Sequence, residues 1–286
     1  MKPLIIRKES IRHPGLFVRK YSRQVFFDNL WHTDPNLVES RGHVETEDGH
    51  VVICPFTKIF NRFENGIDID RDEMCLSIRK VNGFMAAVTW VDYVADVVVS
   101  TTGSLDSDFV LMAEDILGDR VKQHVKTMRN FMKGTYIFEI VHPDDPHIIP
   151  EKVGAYLIGF RESVERGPYF TTPNLEAILD DEAKSMDVMR PSWTMSRFST
   201  IVDETKICKH EGFVVYGQKS KRVLKIKSPY YTAKKACSRV KDISKLDKRK
   251  VDEEFYPLID YLNTIDNFNE MNEESKKKII EDFLHR

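Results

Sequence analysis

Short apolar runs separated by turn residues fill the first hundred positions, and they predict strands rather than helices. Val51-Val52-Ile53-Cys54 is one such run, and Phe84 to Trp90 and Tyr93 to Ser100 are two more, rich in valine, alanine and aromatics. Val91-Asp92-Tyr93 supplies the turn that makes the last two a hairpin. From Ser104 to Lys133 the period changes: Phe109, Met112, Ile116 and Val121 recur at helical spacing, with Ser104 and Ser107 as available caps and Gly118-Asp119 as a point of interruption. Strand patterns return at Thr135 to Val141, Ala155 to Arg161, Gly212 to Tyr216 and Arg222 to Lys227, with a helix over Asn174 to Met186 behind Pro173. After Ser228-Pro229 the pattern turns helical, with two or three helices between Thr232 and Arg286. The expected fold class is α+β. Antiparallel sheets would form a deep pocket in a domain over residues 1–230, and residues 231–286 would form a small helical domain.

Composition narrows the class. Of 286 residues, 41% are hydrophobic and 31% charged, the balance of a soluble globular protein. No apolar run approaches the roughly eighteen residues of a membrane span, and the N-terminal apolar stretch is too short for a signal peptide. Cys54, Cys75, Cys208 and Cys237 are scattered without CxxC spacing, which implies a reduced, cytoplasmic protein with no zinc site and no membrane partner. The net charge of −2 conceals an asymmetry. Residues 219–250 hold thirteen lysines or arginines against two aspartates, and residues 251–286 hold ten acidic against four basic residues. A solvated basic face and a phosphate-backbone footprint are both open readings of that stretch.

Five segments carry candidate chemistry. In Arg79-Lys80-Val81-Asn82-Gly83-Phe84 a lysine stands at the end of a strand, and Gly83 lets the backbone turn tightly. A lysine amine attacks only when deprotonated, and bringing it near neutrality takes roughly 4 kcal/mol from desolvation and nearby positive charge. Glu139, inside Thr135-Tyr136-Ile137-Phe138-Glu139-Ile140-Val141, is a carboxylate among apolar neighbours that calls for a partner, and a ribose hydroxyl is one. Glu211 precedes Gly212-Phe213-Val214-Val215, where it can serve magnesium or simply form the turn before a strand. In Leu224-Lys225-Ile226-Lys227 the strand period puts both lysines on one face, which suits an anion such as a triphosphate. Upstream, Arg41 and Lys58 are cations able to reach phosphates, and Phe60 is able to stack on a base. Each segment alone also has an ordinary structural reading.

In order along the chain, Lys-x-Asn-Gly, Phe-Glu, Glu-Gly-Phe-Val-Val and Lys-Ile-Lys resemble motifs I, III, IV and V of the covalent nucleotidyltransferases, the superfamily of RNA ligases, DNA ligases and mRNA capping enzymes. Arg41-Gly42 and Pro55-Phe56-Thr57-Lys58-Ile59-Phe60-Asn61 are similar to upstream segments of the bacteriophage-type, tRNA-repairing RNA ligases. The resemblance spans about residues 39 to 231. It implies an adenylyltransferase domain and an ATP-dependent joining of RNA 5′-phosphate to 3′-hydroxyl ends with Mg2+, or Mn2+ in its place. Lys80 would take AMP from ATP, pass it to the RNA 5′-phosphate, and the 3′-hydroxyl would displace it. By position, Lys225 and Lys227 would hold the α-phosphate, Glu139 would contact the ribose, and Glu211 would serve metal. Arg41, Lys58 and Phe60, with Gly83, would bind the nucleotide. Nicked tRNA is the implied substrate, and an end-healing kinase or phosphatase the implied functional partner.

Two departures bear on this. Asn82 stands where many relatives carry aspartate, so it would help organise the metal–water shell or the ribose side without a carboxylate. Met85 stands where DNA ligases and capping enzymes usually carry arginine, which points to the RNA ligases. The competing readings are a GTP-dependent capping guanylyltransferase and a non-catalytic RNA-binding protein of the same fold. His142-Pro143-Asp144-Asp145-Pro146-His147 invites a metal reading, but its two prolines favour a rigid turn. Ser100-Thr101-Thr102-Gly103-Ser104 reads as helix capping or as an RNA-end contact, and Tyr230 and Tyr231 as packing or base-stacking residues.

Overall fold

The computed structural model describes residues 3–162, 169–251 and 255–284. The chain opens with β1 (Ile5–Glu9), β2 (Leu16–Tyr21), two short helices α1 (Arg23–Phe27) and α2 (Asn36–Glu39), β3 (Arg41–Thr46) and β4 (Val51–Ile53). Then come β5 (Phe60–Asn61), β6 (Met74–Arg79), the hairpin β7 (Phe84–Val91) and β8 (Asp96–Thr101), α3 (Asp108–Met128), β9 (Gly134–Val141), β10 (Gly154–Glu162) and α4 (Pro173–Met186). The remainder is β11 (Trp193–Arg197), α5 (Phe198–Ile207), β12 (Gly212–Gly217), β13 (Val223–Lys227), α6 (Pro229–Arg239), α7 (Tyr256–Asn263) and α8 (Glu273–Leu284). The expected α+β class with antiparallel sheets is what is found.

These elements form two compact units. The first takes residues 1–59, 83–145 and 152–192, and the second residues 60–82, 146–151 and 193–286. Residue 230, where the change of pattern suggested a domain boundary, lies inside the second unit.

The first unit has two four-stranded antiparallel sheets, in the orders β1-β2-β3-β4 and β10-β9-β7-β8. Strand alternation divides β7 between two cores. Ala86 and Val88 join Val110, Leu117, Val121 and Val125 of α3, Phe138 and Ile140 of β9, and Leu179 of α4. Ala87 and Val91 point the other way, into a cluster with Leu16, Val18, Val44 and Ile53 of the N-terminal sheet. A strand buried on both faces reads as a continuous apolar run, as this one does. Helix α3 is shorter than expected: Ser104 accepts from the Asp106 N–H in a turn instead of capping, and the Ser107 side chain makes no cap bond. The backbone breaks at Gly118, at φ +62°. Pro173 occupies the first turn of α4 behind a Thr172 cap, where its missing N–H costs nothing.

The second unit is built on one five-stranded sheet in the order β11-β6-β12-β13-β5, antiparallel except for the β13–β5 pair. Phe198 and Ile201 of α5 cover one face through Cys75, Val215 and Leu224, with Phe213 and Ile226 packed beside them. Helices α6, α7 and α8 enclose a separate apolar cluster of Ala233, Cys237, Leu258, Ile259, Leu262 and Ile280. Among the described residues, no helix is long and apolar enough to cross a membrane.

Phe138 is fully buried in the larger core, and Phe131 is 82% exposed. Phe138→Ala should lower the free energy of urea unfolding by roughly 3–5 kcal/mol, and Phe131→Ala should change it by less than about 0.5 kcal/mol.

Candidate functional site

Register assembles the site in the second unit. On β12, Gly212 lies opposite Lys227 of β13, and on its other side the Lys80 N–H donates to the Gly212 carbonyl at 2.9 Å. Lys80, Gly212 and Lys227 therefore form one row across three strands. Leu224 and Ile226 turn towards α5, so Lys225 and Lys227 project from the opposite face, as the strand period predicts. Gly212 is at φ +127°, and a Cβ there would stand 2.0 Å from the Ile226 carbonyl oxygen. Only glycine permits that approach, and its bare backbone leaves the centre of the row open.

Glu211, 3% exposed, precedes that glycine and is the partner of both lysines. Its Oε2 lies 2.9 Å from Lys80 Nζ, and its Oε1 is 3.8 Å from Lys227 Nζ. Asn82 donates its amide N–H to the same Oε2 at 2.6 Å, while its own oxygen accepts the Ile149 N–H at 3.0 Å. The two contacts fix which way the Asn82 amide faces. The buried carboxylate is thus met by two basic side chains and an amide N–H. The Lys80 side chain is 22% exposed and does not stand in bulk solvent.

Helix α6 completes the cluster. Ser228 caps it, accepting the Tyr231 N–H at 3.1 Å, and the Ser228 N–H donates to the Glu211 carbonyl. The cap puts Tyr231 beneath Lys227, whose ammonium is 5.1 Å from the ring centroid, with Lys235 at 5.5 Å. Burial first, then the Glu211 charge, push the Tyr231 phenol up to about 12, while a hydrogen bond with Asn82 acts the other way. Burial and then Arg239 draw Lys235 downwards, and Glu211 opposes them. Arg79, next to Lys80, is held by a two-pronged bond to Glu151 at 2.8 and 2.9 Å.

The other expected site residues take these positions. Phe60 pairs with Leu224 in the short β5–β13 ladder, and Asn61 pairs with Lys225. In the first unit, the Gly83 N–H donates to Glu139 Oε1 at 3.2 Å, and a Cβ on Gly83 would lie 2.2 Å from the Ile140 carbonyl oxygen. Glycine is thus needed where the chain after Asn82 meets β9. Arg41 begins β3, half-buried and opposite Lys20. Lys58 Nζ lies 5.3 Å from the Trp31 ring centroid. The His142 segment is a turn, with the Asp145 N–H bonded to the His142 carbonyl. Among the described residues, no three His, Cys, Asp or Glu side chains converge on a metal position. A cleft of about 980 Å3 in the first unit, lined by Trp90, Tyr93 and Arg129 among others, contains none of the motif residues.

Sequence reasoning missed Lys235 and the bond from Ile149 to Asn82. Tyr231 and Lys235 are four apart, so Lys235 was readable from a helix begun at Ser228 instead of Thr232. Nothing local to Ile149 signals its contact.

Aspartate at position 82 would set a second carboxylate against Glu211 and remove the donated N–H. Asn82→Asp should therefore destabilise the protein at neutral pH. The deficit, followed by thermal unfolding, should shrink as pH falls from about 7 to about 4 and one carboxyl takes up a proton.

No protein-family profile matches the chain, and no curated protein sequence does. Solved structures do. An archaeal ATP-dependent RNA ligase (form 1) superposes with a TM-score of 0.59 at 15% identity, covering 93% of this chain and 73% of that one. A second form gives 0.56 at 13% identity over 98% and 73%. A putative ATP-dependent DNA ligase from Aquifex aeolicus gives 0.56 at 12% identity over 99% and 73%. At these identities the likeness is one of fold: this chain has the mixed α+β fold, with antiparallel sheets, of those ligase structures.

Proposed function

We propose that the protein is an ATP-dependent RNA ligase of the bacteriophage type, sealing 5′-phosphate to 3′-hydroxyl ends in RNA repair, with nicked tRNA as the substrate. The observation that carries this reading is the row Lys80–Gly212–Lys227 with Glu211 bridging its two ammonium groups. It agrees with the order of the motifs along the sequence. The archaeal neighbours, named as ATP-dependent RNA ligases, support the choice of RNA and ATP.

The chemistry follows from charge. Lys80 Nζ, once free of its proton, attacks the α-phosphorus of ATP. The N–P bond forms as the bond to pyrophosphate breaks, the electron pair leaves on the pyrophosphate oxygen, and the amine's proton passes to water. Lys227 and Lys225, on the same face, stabilise the charge that builds on the α-phosphate oxygens. The lysine-bound AMP then moves to the RNA 5′-phosphate, and the 3′-hydroxyl displaces it. The motif resemblance assigns Arg41, Lys58 and Phe60 to the nucleotide and Glu139 to its ribose.

Magnesium binds through one or two carboxylates with water and phosphate oxygens, and Glu211 is a carboxylate of that kind. Its oxygens already meet two ammonium groups and an amide, so a cation there competes with Lys80 for it. When bound, the metal supplies positive charge against the phosphates. Asn82 steadies Glu211 and contributes no charge of its own. Coupling to an end-healing kinase or phosphatase would supply the 5′-phosphate and 3′-hydroxyl that the reaction consumes.

Intact mass after incubation with ATP and Mg2+ should show one added AMP, which Lys80→Ala abolishes. Glu211→Ala and Lys227→Ala should slow adduct formation roughly a hundredfold while keeping the fold by circular dichroism. A label taken from GTP and refused from ATP would replace the ligase reading with a capping one. RNA binding with no adduct under any metal would leave only a binding protein.

A further inference from the structure

We propose that Lys235 is a third phosphate-binding lysine, holding the β- and γ-phosphates of ATP while Lys80 is adenylylated. The inference rests on the ligase reading and adds to it a residue from outside the motifs.

Helix geometry is the first ground. The Ser228 cap fixes the start of α6 one residue after Lys227, so Tyr231 and Lys235, four apart, share the helix face turned to the strand row. Tyr231 is the spacer. It is 6% exposed, with the Lys227 and Lys235 ammonium groups 5.1 and 5.5 Å from its ring centroid. Both cations are thus held by one rigid ring.

Charge balance is the second ground. Lys80 and Lys227 meet Glu211, and Lys227 and Lys235 meet at the Tyr231 ring. Lys235 interacts electrostatically with both Glu211 and Lys80. An anion of more than one charge is the ligand that suits ammonium groups brought together in this way. The pyrophosphate portion of a nucleoside triphosphate is such an anion. With Lys80 as the nucleophile and Lys225 and Lys227 assigned to the α-phosphate, the helix-borne lysine remains for the phosphates beyond it. Most helix lysines are solvated, but few lie half-buried against an aromatic ring beside a second lysine.

Pyrophosphate leaves after the first step, so the role is confined to that step. Lys235→Ala should raise the KM for ATP in protein adenylylation by roughly tenfold. It should weaken binding of inorganic pyrophosphate, measured by calorimetry, to a similar degree. Sealing of a chemically pre-adenylylated RNA strand should lose far less, and Lys235→Arg should restore most of the ATP-dependent step. Unchanged KM and unchanged pyrophosphate binding would overturn the proposal. Equal losses in ATP-driven adenylylation and in pre-adenylylated sealing would overturn it too, by showing a merely structural lysine. Absence of an AMP adduct from the unmodified protein would remove the ligase reading, whereas the pyrophosphate titration still tests the anion site by itself.

Discussion

One carboxylate sets the arrangement of everything around it. Glu211 is almost fully buried, and a buried charge persists only when it is paired and hydrogen-bonded. Lys80, Lys227 and Asn82 meet that requirement together. The dependence runs both ways. Removing the carboxylate would leave ammonium groups facing one another, and removing a lysine would leave Glu211 short of compensation. The same pair ties the Lys80 amine to Glu211, a bond that the proposed reaction requires Lys80 to give up before it attacks phosphorus. Under that proposal, a cation arriving at Glu211 would compete with Lys80 for the carboxylate.

Backbone constraints make that carboxylate reachable. Without a glycine at 212, β12 could not run so close to the Ile226 carbonyl, and the row from Lys80 to Lys227 would be pried apart. Gly83 performs the matching task in the first unit, where the Ile140 carbonyl leaves no room for a side chain. The two glycines are close-approach residues, and the charged residues beside them take their geometry from that closeness.

Much of this was legible from the chain. Period two in Leu224-Lys225-Ile226-Lys227 placed both lysines on one face, and the α5 cluster shows Leu224 and Ile226 on the other. The hairpin at Val91-Asp92-Tyr93, the interruption at Gly118 and the helix behind Pro173 were readable because turns, glycines and prolines act locally. What stayed hidden depended on distant partners. Asn82 looked like a weakened aspartate, yet its N–H donates to Glu211 and its oxygen accepts from Ile149, sixty-seven positions away. No local pattern encodes such a contact. Ser104 was misread as a cap because a serine before a helix caps it only if the backbone starts there, and α3 starts at Asp108.

Charge counted along the sequence also leaves out distant partners. The basic stretch of residues 219–250 left a solvated face and a phosphate-backbone footprint both open, and residues 251–286 are mostly acidic among their charges. Folded, part of the basic stretch meets acids of the stretch that follows: Lys234 pairs with Glu281, Arg239 with Glu273 and Lys248 with Asp260. Lys245 and Arg249 pair with Asp242 and Asp247 inside the stretch itself. Exposed pairs contribute little to stability, but each lowers the local field that would attract a phosphate backbone. Lys234 is the exception in kind, being 1% exposed and so tied to its carboxylate by desolvation. Under the proposed function, the cations that meet the phosphates are Lys80, just after β6, and Lys225 and Lys227 on β13.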